Sequence, residues 1–97
     1  MLRTDNLLPI GMEVFAAPVV VTGTGAVDTT LNSKTTGVRV TVEFNGAYLR
    51  TAAGVTSSNA NIYMGVGTYD FGVIPSSVLS IAGKDVASVV TFTQHQF

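Results

Sequence analysis

The chain has 97 residues, enough for one domain and too few for two. Only 11% of them are charged, against about 25% in an ordinary soluble domain, while 46% are hydrophobic and Val (15) and Thr (13) dominate. Five Lys and Arg against six Asp and Glu leave a net charge of −1 with no basic patch for nucleic acid, and the absence of cysteine excludes disulfides and thiolate metal sites.

A surface so short of charge is poorly soluble on its own, so much of it is expected to meet other protein. The opening MLRTDNLLPIG lacks an apolar core long enough for a secretion signal. The longest uncharged run, Thr51–Tyr69, is too rich in Gly, Ser, Thr and Asn to span a membrane. The chain is expected to stay in the compartment where it is made, or to be assembled into a particle there.

Residues 1–18 differ from the rest. Pro9, Gly11 and Pro18 interrupt any regular element, yet Leu7, Leu8, Ile10, Met12, Val14 and Phe15 are too apolar for a free tail. Two readings stay open: an irregular first strand packed on the domain's own core, or an extended arm lying on a neighbouring subunit. Residues 19–97 read as a single β-domain.

Val19–Thr22 is a short β-branched strand ended by Gly23-Thr-Gly25, and Ala26–Leu31 is a second. Asn32–Gly37 is a polar turn. In the stretch that follows, Val38, Val40, Val42 and Phe44 alternate with Arg39, Thr41 and Glu43, so one face is buried. Asn45-Gly46 fits a two-residue type I′ turn, which predicts a hairpin pairing Phe44 with Ala47 and Val42 with Leu49. That register puts Ala47 and Leu49 on the valine face and Tyr48 and Arg50 on the polar face.

Residues 52–61 form a small polar loop. Asn61–Val66 is a strand candidate with Ile62 and Met64 on one side and Tyr63 on the other, and Gly65 and Gly67 mark a bend. Thr68–Ile74, Val78–Ala82 and Val86–Phe92 are further strands, separated by Pro75-Ser-Ser77 and Gly83-Lys-Asp85. No segment carries an apolar stripe at helical spacing. Short strands at this spacing predict an all-β fold, a small antiparallel sandwich or jelly-roll-like barrel.

Chemistry is sparse. The lone His95 lies near the C-terminus, away from any nucleophile or ligand cluster, and reads as a solvated tail residue. Asp5, Glu13, Asp28, Glu43, Asp70 and Asp85 are spread out, as turn and strand-edge carboxylates are. GVGTYDFG departs from the phosphate-loop spacing and no helix follows it. Tyr48, facing outward, is the one candidate for a sugar platform; a subunit contact or packing over Arg50 suits it as well. These features predict a non-enzymatic interaction protein with no catalytic residue, cofactor or metal.

From residue 35 the chain reads TTGVRVTVEFNGAYLRTAAGVTSS and then NANIYMGVGTYDFGVIPSSVLSIAGKDVASVVTFT. This resembles a group of small all-β virion proteins of tailed bacteriophages: a Val-Arg-Val strand, a Tyr-Leu-Arg strand, an Ala/Thr-rich loop, a Gly-Thr-Tyr-Phe-like strand, an Ile-rich strand and a final Val/Thr strand. The likeness covers about the last 70 residues, in order and composition, and leaves residues 1–30 aside. It implies a capsid decoration or cement protein binding the major capsid protein, or a head–tail or tail component. Such proteins form symmetric homo-oligomers, a trimer being the favoured state here. It places the chain in the virion, assembled in the host cytoplasm. Leu7, Leu8, Ile10, Met12, Phe15, Tyr48 and Arg50 are the expected partner contacts.

Overall fold

The computed structural model describes residues 13–14 and 17–96. Among the described residues, nine strands and no helix make up the regular structure: β1 (Glu13–Val14), β2 (Val19–Thr22), β3 (Val27–Thr30), β4 (Gly37–Phe44), β5 (Ala47–Arg50), β6 (Ile62–Met64), β7 (Gly67–Gly72), β8 (Val78–Gly83) and β9 (Val89–Gln96). They form two antiparallel sheets. One has the order β1-β9-β4-β7, with β2 also on β9; the other has the order β3-β8-β5-β6. β1 and β2 take the same edge of β9, β1 opposite Val14↔His95 and β2 opposite Val19↔Phe92, so this sheet is four strands wide.

The strand pairs nest. β5 pairs with β6, β4 with β7, β3 with β8 and β2 with β9. The chain is thus one long antiparallel ribbon, with the 51–61 loop at its tip, rolled into two layers. Two further ladders, β4·β9 and β5·β8, seal the roll.

The expected β4–β5 hairpin does not form. Asn45 and Gly46 do have positive φ, 64° and 95°, as the Asn-Gly signal requires. Yet a strand has only two edges, and those of β4 are taken by β7 and β9, those of β5 by β6 and β8. The turn is instead an arch that carries the chain from one sheet to the other. The valine face and the Ala47/Leu49 face are both buried as the alternation requires, but as opposite walls of the core and not as one ladder.

Inside, Val21, Val38, Val40, Val42, Val90 and Phe92 of the first sheet pack against Ala47, Leu49, Met64, Leu79 and Ile81 of the second, with Leu31 between. Burial of about 1.5–3 kcal/mol per large side chain is the main favourable term. Phe44 departs from the expected alternation. A bulge between Val42 and Phe44 in the β4·β9 ladder inserts Glu43 as an extra residue, and Phe44 swings out to 57% exposure. The last strand also runs later than expected, Val89–Gln96, leaving Val86 in the preceding turn at 88% exposure.

Polar side chains are also built into the interior, Thr35, Ser80, Ser88, Gln94 and His95 among them. Gln94 Oε1 accepts the Asn32 amide at 2.7 Å and the Thr35 hydroxyl at 2.8 Å, tying the β3–β4 turn to β9. His95 is not a solvated tail residue. It lies in β9 between Val14 and Gly37, is buried, and meets the Thr93 hydroxyl through Nε2.

Candidate functional site

The outer face of the first sheet is polar. Thr41 sits between Thr68 and Thr91, and Arg39 between Asp70 and Thr93. Arg39 donates to Asp70 through Nε at 2.7 Å and Nη2 at 3.0 Å, and the guanidinium holds the Asp70 carboxyl below the usual carboxylate range. Its exposed apolar contribution is Val20 on β2, which lies beside Thr91 at 59% exposure.

Further apolar side chains are exposed at the two ends of the sandwich. At one end, β4 stops at Phe44, the β6–β7 bend carries Val66 beside Gly67, and the β8–β9 turn carries Val86. Asn45 donates to Asp85 at 3.0 Å and so ties the arch to that turn. Phe44, Val66 and Val86 are 57%, 65% and 88% exposed. At the opposite end, Leu31, Val73, Ile74, Val78 and Leu79 line a groove of about 460 Å³, and Ile74 stands out at its rim. The described chain enters at this second end, since Glu13 lies opposite Gln96.

The outer face of the second sheet holds a different feature. Residues 51–61 fold back over it and bury Val55, Ser80 and Ala82. Hydrogen bonds to the sheet and within the loop hold it in place. Asp28 accepts the Gly54 amide at 3.0 Å, Ser80 Oγ accepts the Val55 amide at 3.0 Å, and Asn61 Oδ1 accepts the Thr51 amide at 2.8 Å. A cavity of about 250 Å³ remains, lined by Tyr48, Val55, Ala82 and Gly83 with Thr24, Thr56, Ser57 and Lys84 around it. Tyr48 packs on Tyr63 with centroids 5.4 Å apart and planes tilted by 54°. Arg50 donates to the Ala53 carbonyl at 3.0 Å, so it is drawn to the loop, and Tyr48 packs at a tilt on the Tyr63 ring instead.

No family model, curated protein or solved structure matches the chain. Among the described residues no group of three or more His, Cys, Asp and Glu is placed to hold a metal ion, and no helix is long and apolar enough to cross a membrane.

Of the expected partner contacts, Leu7, Leu8, Ile10, Met12 and Phe15 lie outside the described residues. Tyr48 and Arg50 share the outer face of β5, as the alternation implied. Ile74, Val66, Val86 and the cavity escaped sequence reasoning. The first three sit in turns, where no periodicity marks exposure. The cavity depends on a loop folding back, and only Val55, a lone apolar residue inside a polar run, signals it.

Proposed function

We propose that this chain is a non-enzymatic structural protein of a bacteriophage particle, most simply a capsid decoration or cement protein acting as a homo-oligomer on the major capsid lattice. What carries the reading is the placement of unpaired apolar side chains at both ends of a sandwich with few charges. Contiguous apolar surface marks protein contact. The strand order supports it too. We read the eight strands, β2 to β9, nested as pairs in two four-wide sheets, as a jelly roll, an architecture common among viral capsid domains. The sequence likeness to phage virion proteins points the same way.

Unlike ends, a groove at one and projecting Phe44, Val66 and Val86 at the other, suit a heterologous contact, which closes into a ring or extends as a stack. A closed trimer fits decoration of a lattice. An open or larger ring fits a connector or tail component, which is the second reading. A cement binds the assembled state in preference to the unassembled one, and weak contacts then sum over many copies.

The test is to measure the solution mass of the purified chain and its copy number in purified heads and tails. A trimer that copurifies with heads in lattice stoichiometry is the expected result. A monomer at high concentration with no affinity for shells or tails overturns the proposal.

A further inference from the structure

We propose that the cavity beside Tyr48 is a binding site for a single acidic pyranose, a uronate or similar carboxylate-bearing sugar. The observation is separate from the apolar ends and stands whether or not the chain belongs to a particle. The space of about 250 Å³ has room for one hexose ring with its substituents. Its floor is apolar, made by Val55, Ala82 and Gly83, all buried. Tyr48 lines it as well, its ring packed on that of Tyr63. Its rim carries hydroxyls, of which those of Thr24 and Ser57 make no hydrogen bond among the described residues. Lys84 also lines the space, and its ammonium lies over the adjacent Tyr63 ring, 5.9 Å from the centroid.

Each part matches one property of such a sugar. The C–H face of a pyranose lies on an aromatic ring. Its hydroxyls exchange bonds with Thr24, Thr56 and Ser57, and its carboxylate meets Lys84 in a charge-assisted contact. A purely apolar ligand would leave the hydroxyl rim unused, and a cation would meet Lys84. The neighbouring Asp85 is turned away, occupied by Asn45 and by the Ala87 amide. The loop that forms one side is already fixed by Asp28 and Ser80, so binding orders little chain. Affinity for one ring is expected in the millimolar range, and repetition in an assembly would raise it.

The full chain is titrated with D-glucuronate and with D-glucose while backbone amide NMR shifts are followed. Saturable shifts confined to residues 24, 48, 55–57 and 82–84, stronger for glucuronate, are the expected result. Tyr48→Ala weakens binding about tenfold or more, and Tyr48→Phe retains it. Lys84→Gln lies on the exposed rim and keeps the test valid if loss of the Tyr48 ring disturbs the fold. It weakens glucuronate about fivefold and leaves glucose unchanged. Absence of saturable shifts at these residues up to on the order of 50 mM ligand, shifts that persist unchanged in both Tyr48→Ala and Lys84→Gln, or equal binding of the two sugars overturns the proposal.

Discussion

Asp28 Oδ1 on β3 accepts the backbone amide of Gly54 at 3.0 Å, which clamps the 51–61 loop to the outer face of the second sheet. The same carboxylate takes a bond from the Ser80 hydroxyl, whose oxygen in turn accepts the Val55 amide. A relay of three residues therefore holds a loop with no regular structure of its own.

Asp28→Ala is expected to release the loop and leave the two sheets intact. Amide exchange at Gly54 and Val55 should accelerate about tenfold or more, while the amides of β4 and β9 stay protected. Unchanged exchange at Gly54 would count against the clamp.

The acid side of the stability profile follows from three carboxyls. Asp28, held by Ser80 and Gly54, Asp70, held by Arg39, and Asp85, held by Asn45 and Ala87, all sit below the ordinary value of 3.8. A depressed folded value means the folded state binds protons less readily than the unfolded one. The stabilisation is therefore complete above about pH 4 to 5 and is lost as pH falls through the lowered values. Thermal denaturation from pH 6 to pH 2 should show a falling midpoint below pH 4, and Asp70→Asn should flatten the fall.

Gly46→Ala tests the arch. The backbone there has φ of 95°, and a side-chain carbon would run into the Tyr63 hydroxyl. The expected cost is about 1–3 kcal/mol by denaturant unfolding. The same change in a Tyr63→Phe background should cost less, because the obstructing hydroxyl is gone.

Gln94→Leu removes the acceptor shared by the Asn32 amide and the Thr35 hydroxyl, the latter fully buried. Leaving buried donors unsatisfied costs about 1–3 kcal/mol, more than the added apolar contact returns. A stability equal to that of the parent would show that water or another group takes over.

Val86→Ser and Ile74→Ser probe the two ends. Both side chains are highly exposed, so each change should alter monomer stability by no more than about 0.5 kcal/mol. Self-association should fall for both variants in sedimentation experiments. Association that survives both changes would move the contact elsewhere.

Much of the strand content was legible because period-two burial is a local signal: Val38, Val40 and Val42 announce a buried face wherever they pair. Pairing was not legible in the same way. Asn45-Gly46 dictates two left-handed residues, and an arch uses those as well as a hairpin does, so the choice rests on which edges are already occupied. Phe44 was misassigned by one bulged residue, Glu43. His95 was misassigned because proximity to the end of the sequence says nothing about a strand in mid-sheet. Of the site residues, Tyr48 stands out from its outward register, whereas Ser57 reaches the same cavity only through the folded-back loop and Lys84 only through the pairing of β8 with β5.

The nested ribbon also bears on how quickly such a chain finds its shape. Partners such as Val19 and Phe92 are remote along the backbone, which by itself would make folding slow. Each inner pair, once closed, brings the next pair out within reach across only a short connection, from Ala47↔Met64 to Gly37↔Gly72 and onward. The molecule can therefore close like a zip fastener from its tip, and the search for distant partners becomes a series of near ones.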